Sequence, residues 1–231
     1  MKNYLIIVAG GAGKRMQSDI PKQFIRVAGM PVLYHSLERF QGLFENLHTV
    51  LVLPAQHISK WKELCFDLNI NIPHQVVAGG RLRFESVKAG LSVLPDEDGL
   101  VAIHDGVRPL VAVELIKNAF QTAAEKGNAI PAIKVPESIR QLKGENSTAV
   151  NRDHYRLIQT PQVFRINLIK RAYLQPYRES FTDDASVLES LGDKIHLIEG
   201  NPMNIKITNK SDLNIFEALL KYTDPDQVCN D

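Results

Sequence analysis

Short apolar runs alternate with helical patterns along most of this chain. Runs such as residues 5–8 are apolar at every position, which indicates strands that are buried on both faces. Between most runs, apolar residues recur at steps of three and four, as in helices that pack one face against a sheet. The predicted strands are residues 4–8, 49–53, 71–77, 100–104, 129–135 and 195–198, and the predicted helices are residues 32–44, 58–68, 83–94, 113–125 and 211–222.

This alternation predicts an α/β fold with a mostly parallel sheet and helices on both faces. In such folds, ligands collect at the carboxyl ends of the strands. The residues that directly follow each predicted strand are therefore the first candidates for chemistry.

Residues 136–160 interrupt the alternation because they hold too few apolar side chains for a core element. Their polar character, with a glycine in the stretch 143–146, predicts a hairpin arm that turns there. A mobile surface loop is the alternative. We expect residues 1–231 to form a single domain from which this arm projects.

Composition and charge exclude several classes of protein. The 231 residues are 44% hydrophobic, and 27 basic against 26 acidic residues give a net charge of +1. This balance predicts no general affinity for nucleic acid or for an anionic membrane. The sequence has neither a signal-peptide pattern nor an apolar stretch of membrane-spanning length, and Cys65 and Cys229 are too few for a disulfide framework or a zinc site. We therefore expect a cytoplasmic protein in a reducing compartment.

A glycine loop follows the first predicted strand. Glycines let the backbone bend tightly and bring its N–H groups close to an anion, and cations beyond the loop can hold further phosphate oxygens. The residues concerned are Gly10, Gly11, Gly13, Arg15 and Lys22. The loop suggests nucleotide chemistry, and a simple tight turn is the alternative.

This loop matches neither of the two commonest glycine motifs. The P-loop requires Ser or Thr after its Gly-Lys, but Arg15 follows Lys14 here, and Val8 stands where its first glycine should be. The dinucleotide-binding fingerprint fails because Met16 occupies its third glycine position.

A second candidate, H-D-G-V-R-P at 104–109, directly follows a predicted strand. Asp105 at the strand's carboxyl end is well placed to bind magnesium that arrives with a nucleotide. Arg108 can bind a second anionic group. The alternative is an Asp-Arg ion pair that closes the loop. We expect His104 to be packed and hydrogen-bonded rather than a metal ligand.

Two weaker candidates lie elsewhere in the chain. Gly80 in a glycine pair allows a flat base to approach the backbone, and Ser86 on the first turn of the next helix offers a hydroxyl. A helix N-terminus with scattered arginines is the alternative, and without other evidence it is the better explanation of that segment. The stretch 204–208 presents Lys206, although a single lysine on a strand is usually a solvated charge.

Five motifs, in order, resemble those of one enzyme family. The first, V-A-G-G-A-G-K-R-M at 8–16 with P-K-Q at 21–23, corresponds to the family's P-A-A-G-x-G-x-R-M and P-K-Q. The others are H-D-G-V-R-P at 104–109, T-P-Q-V-F at 160–164, T-D-D-A-S at 182–186 and N-I-K-I-T at 204–208. Over nearly its whole length, the chain resembles the cytidylyltransferases of isoprenoid precursor synthesis, which join 2-C-methyl-D-erythritol 4-phosphate to CTP.

The resemblance implies a Rossmann-like nucleotidyltransferase fold, a divalent cation such as Mg²⁺, and a homodimer whose arms reach across to the neighbouring site. CTP and a polyol phosphate would be the substrates. The implied catalytic residues are Arg15, Lys22, Arg152 and Lys206. The implied nucleotide-binding residues are Ala9, Gly10, Gly11, Gly13, Gly80 and Ser86. The implied acceptor-binding residues are Asp105, Arg108, Ser138, Arg152, Thr160, Thr182 and Lys206, with Asp105 also binding the metal or sugar hydroxyls and with Ser138 and Arg152 coming from the partner's arm.

The chain departs from the family pattern at four positions. Val8 replaces a proline and Gly10 an alanine, which loosens the loop without removing a hydrogen-bond donor. Arg81 stands where an acidic residue is common, so base contacts there would rely on the backbone. Met203 replaces an acidic residue that many members have before N-I-K, which leaves open whether the site has a second metal contact.

Two alternatives stay open on the sequence alone. Ribitol 5-phosphate cytidylyltransferases share nearly all of these motifs. A nucleotide-sensing domain without chemistry would also explain the glycine loops, but it would leave Asp105, Arg108, Thr182 and Lys206 without a role.

Overall fold

The computed structural model describes residues 1–11 and 20–222, and the predictions for Gly13, Arg15 and Cys229 lie outside these ranges. The strands are β1 (Lys2–Val8), β2 (Arg26–Val27), β3 (Met30–Pro31), β4 (Leu47–Leu53), β5 (Gln75–Ala78), β6 (Gly99–Asp105), β7 (Asn128–Lys134), β8 (Ile139–Lys143), β9 (Asn146–Val150), β10 (Arg156–Ile158), β11 (Gln162–Arg165) and β12 (Leu197–Glu199). The helices are α1 (Val32–Glu38), α2 (Ala55–Asp67), α3 (Arg83–Ser92), α4 (Val113–Lys126), α5 (Ile166–Ala172), α6 (Asp184–Glu189) and α7 (Lys210–Tyr222). Short 3₁₀ turns form at Lys22–Phe24 and Arg152–His154.

The predicted mostly parallel sheet is confirmed. Eight strands form one sheet in the order β5-β4-β1-β6-β11-β7, with β10 and β12 both paired to β7. Strands β5, β4, β1 and β6 are parallel to one another, whereas β11 runs antiparallel to both β6 and β7. The fold is therefore an α/β fold of Rossmann-like architecture.

Strand β1 lies inside the sheet, and successive side chains point to opposite faces. Leu5 and Ile7 pack with α1, α2 and α4 on one face, whereas Tyr4 and Ile6 pack with α3, α5 and α6 on the other. Helices on both faces explain why this strand is apolar at every position instead of alternating.

The carboxyl ends of β1, β5 and β6 bring three loops together at one edge. The Gly106 N–H donates to the Val8 carbonyl at 2.9 Å, and the Gly79 N–H donates to the Leu53 carbonyl at 2.8 Å. The glycine loop, the Gly79–Gly80 pair and the loop after β6 thus become neighbours, as the parallel topology predicts.

A small separate core holds the stretch 204–208 over the same edge. Ile207 is fully buried with Val107 and Phe216, and its N–H donates to the Val107 carbonyl at 2.9 Å. The Asp212 carboxylate accepts the backbone N–H of Thr208 at 2.6 Å and caps the start of α7. This packing fixes Lys206 beside the strand ends.

The predicted hairpin arm is formed by β8 and β9, which within the described ranges pair only with each other. Lys143 pairs with Asn146, and Gly144 between them has φ +61°, a value that suits glycine in a two-residue turn.

Some element boundaries were predicted wrongly. The strand predicted at 71–77 begins only at Gln75, because Pro73 has no N–H for a strand ladder. The helix predicted at 32–44 ends at Glu38, and Gly42 takes φ +70° in the turn beyond it. The sequence did not delimit β10, β11, α5 and α6.

Within the described ranges, none of the helices combines the length and the apolarity needed to cross a bilayer.

Candidate active site

Two adjoining cavities open at the carboxyl edge of the sheet. The first, which we call the nucleotide cavity, has a volume of about 370 Å³ and is lined by the loops after β1 and β5. The second, which we call the acceptor cavity, has a volume of about 280 Å³ and is lined by the loop after β6, the segment before β11 and the start of α6. Arg83, Asp105 and Lys206 line both cavities and mark their junction.

The predicted nucleotide-binding residues within the described ranges all line the nucleotide cavity. They are Ala9, Gly10, Gly11, Gly80 and Ser86, joined by Lys22.

Close packing at the start of α3 explains the glycine pair. A Cβ at Gly79 would lie 2.7 Å from the Ser86 hydroxyl oxygen, and a Cβ at Gly80 would lie 2.3 Å from the Glu85 Cβ. A Cβ at Gly10 would lie 3.6 Å from that same hydroxyl, which leaves room for the alanine usual in the family. The backbone at Gly80, which lines the nucleotide cavity and which we call the nucleotide ledge, can therefore pass this close to α3 only as glycine.

Lys22 links the glycine loop to the stretch 204–208. Its side chain is buried, and its ammonium donates to the Ile207 carbonyl at 2.8 Å. The neighbouring Gln23 amide donates to the Ala9 carbonyl at 3.0 Å and fixes the end of β1. Lys22 and Lys206, far apart in the sequence, thus meet in one cavity.

Asp105 lies among three cations at the junction. Its Oδ2 is 2.8 Å from the Lys206 Nζ and 3.5 Å from the Arg108 Nε, and its Oδ1 is 3.4 Å from the Arg83 Nε. Burial acts to raise the pKa of Asp105, but the charges of Arg83, Lys206 and Arg108 outweigh it and hold the pKa well below its usual range. Asp105 is therefore a carboxylate at neutral pH.

His104 is buried and hydrogen-bonded, which confirms its predicted structural role. The Thr160 hydroxyl accepts the Asp105 N–H at 3.1 Å and lies 3.1 Å from the His104 Nδ1, and the His104 Nε2 lies 3.1 Å from the Arg108 carbonyl oxygen. This pattern assigns the ring proton to Nε2. Burial lowers the pKa of His104 to about 4, so the ring is neutral and braces both ends of the loop.

Arg108 and Thr182 lie on the wall of the acceptor cavity together with Thr160. The Arg108 Nη1 donates to the Asn204 carbonyl at 2.7 Å, which ties the loop after β6 to the stretch 204–208. Beside Thr182, the Asp183 carboxylate caps α6 by accepting the Ser186 N–H at 2.8 Å.

Gln162 holds the start of α6 in place from below the acceptor cavity. Its amide donates to Asp183 at 2.8 Å and accepts the Ala185 N–H at 2.9 Å. The motifs T-P-Q-V-F and T-D-D-A-S are thereby joined, although they lie far apart in the sequence.

Sequence reasoning missed Arg83 and Asp184. Both nitrogens of the Arg83 fork donate to the Asp184 carboxylate at 2.7 Å, and the Tyr173 hydroxyl donates to that carboxylate at 2.6 Å. In the sequence, Arg83 is one of the scattered arginines at the start of a predicted helix, and Asp184 is one residue of the motif T-D-D-A-S. Nothing in their spacing reveals a bond between residues 101 positions apart.

Ser138 and Arg152 are not brought into either cavity of the described chain. Both are exposed on the arm region, where the Arg152 guanidinium donates to the Pro136 carbonyl.

The two other departures from the family pattern are Arg81 and Met203, and neither supplies an acidic side chain. The Arg81 N–H donates to the Glu85 carboxylate at 2.6 Å, so Glu85 already occupies this amide. Met203 donates its N–H to the Asn201 side chain at 2.8 Å and offers no carboxylate to the site.

Comparison with known proteins identifies the family to which this site corresponds. The model of the family described as "IspD: 2-C-methyl-D-erythritol 4-phosphate cytidylyltransferase" matches residues 4–222. A protein of that name from Bacteroides thetaiotaomicron is 48% identical over 220 residues, which cover 95% of this chain and 100% of the relative. Another from Phocaeicola vulgatus is 46% identical over 220 residues, with coverage of 95% and 100%.

Solved structures agree with this match. The crystal structure of 4-diphosphocytidyl-2C-methyl-D-erythritol synthase from Anaerococcus prevotii superposes with a TM-score of 0.80 at 28% identity. The superposition covers 95% of this chain and 96% of that one.

Proposed function

This chain belongs to the 2-C-methyl-D-erythritol 4-phosphate cytidylyltransferase family, and we propose that it carries out its reaction where the two cavities meet. The enzyme transfers CMP from CTP to 2-C-methyl-D-erythritol 4-phosphate in isoprenoid biosynthesis, which gives 4-diphosphocytidyl-2-C-methyl-D-erythritol and pyrophosphate. Family membership favours neither ribitol 5-phosphate as acceptor nor a binding module without chemistry. The observation that carries the location is that Asp105 and Lys206 line both cavities.

We assign CTP to the nucleotide cavity. Its cytosine would lie against the backbone at Gly80, beside Ser86, since both residues line this cavity. The loop at Ala9, Gly10 and Gly11 would face the triphosphate with its backbone, and Lys22 would supply positive charge. Gly13 and Arg15 take part on the strength of the family motif alone.

We assign the methylerythritol phosphate to the acceptor cavity, with Arg108, Thr182 and Lys206 as its binding groups. The Arg108 guanidinium is held at the cavity wall by the Asn204 carbonyl, so it is oriented before an anion arrives. Thr160 acts through the backbone of Asp105, since its hydroxyl already interacts with that N–H and with His104.

The chemistry demands position and charge more than proton transfer. A phosphate monoester has its second pKa near 6 and is mostly dianionic at pH 7, so it attacks the α-phosphorus of CTP without a protein base. Two anions must be held in line, and charge grows on the phosphoryl oxygens and on the departing pyrophosphate. Lys22 and Lys206, with Arg15, would balance that charge.

The residues fit a divalent cation that arrives with the nucleotide rather than one held by protein alone. Among the described residues, no group of three His, Cys, Asp or Glu side chains could hold a metal ion. Asp105 offers one ionised carboxylate at the junction, and Mg²⁺ at nucleotide sites takes one or two carboxylates plus phosphate oxygens. We propose Asp105 as that ligand, where the ion would neutralise phosphate charge.

We also propose a homodimer in which each arm completes the neighbour's acceptor cavity through Ser138 and Arg152. Support comes from β10, a strand of the main sheet whose residues are all exposed in the single chain. Leu157 and Ile158 on this strand are 48% and 37% exposed, and Leu142 on the arm is 77% exposed. Exposed apolar side chains at consecutive positions, such as Leu157 and Ile158, are typical of a surface that a partner covers.

We place the reaction in the cytoplasm, because its donor is a nucleoside triphosphate of the cell interior. The free thiol of Cys65 is compatible with a reducing compartment, and burial raises its pKa. Fractionation of cells that express the tagged protein tests this location.

A pyrophosphate-release assay tests the function. With CTP and Mg²⁺, release should depend on 2-C-methyl-D-erythritol 4-phosphate and should stay at background with ribitol 5-phosphate. Excess EDTA should abolish release, and added Mg²⁺ should restore it. Equal rates with the two acceptors would contradict the assignment of the substrate, and full activity in EDTA would contradict the role of the cation.

A further inference from the structure

Arg83 stands between the two cavities with its three side-chain nitrogens turned to two different carboxylates. Its forked nitrogens bind both oxygens of Asp184 at 2.7 Å, and its Nε lies 3.4 Å from the Asp105 Oδ1. A bidentate Arg-carboxylate pair fixes the plane of the guanidinium, so the direction of the Nε is fixed as well.

Asp184 is itself held in place by its burial and by a hydrogen bond. It has no exposed surface, and the Tyr173 hydroxyl donates to its Oδ1 at 2.6 Å. Tyr173 stacks on Phe84, with ring centroids 4.7 Å apart, and Phe84 is the residue next to Arg83 on α3. If one member of such a buried pair moved away, it would leave an uncompensated buried charge. This energetic cost keeps the arrangement rigid.

This arrangement fixes the orientation of the Asp105 carboxylate. With its Oδ1 facing Arg83, this carboxylate turns its Oδ2 to Lys206 at 2.8 Å and to Arg108 at 3.5 Å. The same guanidinium joins the start of α3, which carries the nucleotide ledge, to the start of α6 beside Thr182. Arg83 therefore lies where a change in its geometry would reach both substrates.

We propose that Arg83 is a positioning residue for the transfer reaction, anchored on Asp184 so that its Nε orients the Asp105 carboxylate at the junction of the two cavities. This inference rests on the proposed function, since it assigns the effect to the transfer step. A purely structural ion pair between α3 and α6 is the competing explanation. It would alter stability, but its effect on turnover would not depend on Asp105.

A double-mutant cycle in the pyrophosphate assay separates the two explanations. Arg83→Lys keeps the charge and loses the fork, and it is measured in the wild-type background and in Asp105→Asn. We expect kcat to fall about tenfold in the wild-type background and less than about twofold in Asp105→Asn, while KM for CTP changes less than about threefold. Arg171→Lys, which makes the same substitution in a more exposed, singly bonded pair with Asp193 outside both cavities, is the control and should keep the wild-type kcat.

An equal fall of kcat in both backgrounds would overturn the proposal, and so would an unchanged kcat in Arg83→Lys. If circular dichroism shows that Arg83→Lys does not fold, Asp184→Asn replaces it in the same cycle, because it frees the Arg83 fork without touching Asp105. Wild-type turnover with both substrates tests the function itself. A failure of the function would thus appear in the wild-type protein, and a failure of the inference would appear only in the cycle.

Discussion

At the scale of single residues, the site is a balance of charges around one carboxylate. Asp105 is almost fully buried, yet it stays ionised because three cations surround it. Lys206 differs from Arg83 and Arg108 because its side chain is 41% exposed, compared with 30% and 11%. Lys206 is thus the most exposed of the three cations that surround Asp105.

Replacing Lys206 should therefore impair chemistry without unfolding the protein. We expect Lys206→Met to lower kcat by about 10²-fold or more, as the loss of one oriented donor does at comparable anionic sites. Thermal unfolding should fall only slightly, because the Lys206 side chain is 41% exposed and Arg83 and Arg108 still balance the Asp105 charge.

Lys210→Met is the matched control, since Lys210 is an exposed lysine a few residues away at the start of α7. Steady-state pyrophosphate release measures both variants. A wild-type kcat for Lys206→Met would remove Lys206 from the catalytic group.

His104 gives a prediction about stability and pH. Burial lowers the pKa of His104 in the folded protein to about 4, compared with 6.5 when it is unperturbed. Between these values the unfolded chain binds a proton that the native state excludes. The free energy of unfolding should therefore be highest above pH 6.5 and should fall by about 3 kcal/mol on acidification to pH 4.

Urea unfolding across this pH range in EDTA measures the effect. His104→Phe should be less stable at pH 8, because the Thr160 hydroxyl and the Arg108 carbonyl lose a partner, and it should lack this part of the pH dependence. The contributions of the other histidines cancel when the free energy of unfolding of His104→Phe is subtracted from that of the wild type at each pH. Parallel curves would contradict the assignment.

At the scale of elements, the first turn of α3 forms one wall of the nucleotide cavity. The Glu85 carboxylate accepts the N–H groups of Arg81 at 2.6 Å and Leu82 at 3.1 Å, which closes the turn. The chain before it must pass close to Glu85, and only glycine at position 80 permits that approach.

Gly80→Ala should therefore displace the start of α3. We expect the free energy of unfolding to fall by about 1–3 kcal/mol, as overpacking usually costs, and KM for CTP to rise because the ledge moves. Denaturant titration and steady-state kinetics with varied CTP measure the two effects.

Gly10→Ala is the matched control for stability, because among the described residues its new Cβ would meet only the Ser86 hydroxyl oxygen at 3.6 Å. Its unfolding midpoint should equal that of the wild type. Equal midpoints for the two alanine variants would refute the packing argument.

At the scale of the whole molecule, the arm region exposes side chains that reach neither cavity of their own chain. Ser138 and Arg152 are exposed and outside both cavities, and β10 buries none of its residues. Exchange of arms between two copies would cover this surface and complete both acceptor cavities.

Mixing two inactive variants tests the exchange. Lys206→Met disables the cavity of its own chain, and Arg152→Ala should disable the cavity of its neighbour. In a mixed dimer, one cavity would have both residues, so an equilibrated equal mixture should recover about one quarter of wild-type activity.

If Arg152 acted within its own chain, every cavity in the mixture would lack one residue and activity would not recover. Light scattering on each protein establishes whether dimers are present at the assay concentration.

The sequence by itself determined the elements and the order of the motifs. Apolar runs and helical periodicity depend on local positions, so they revealed the parallel sheet, most helices and the hairpin turn at Gly144. Boundaries failed where one residue decided them, as Pro73 did at β5. Motif resemblance selected the family and brought Lys22, Asp105, Arg108 and Lys206 forward as a group.

Only the tertiary structure decided which charges meet. The bond between Arg83 and Asp184, the anchoring of Lys22 on Ile207, and the neutral His104 between Thr160 and Arg108 all join residues from different elements. Such contacts depend on direction and distance after folding, and hydrophobic periodicity contains neither. Local patterning therefore fixes which strands form, whereas packing fixes which side chains share the edge where those strands end.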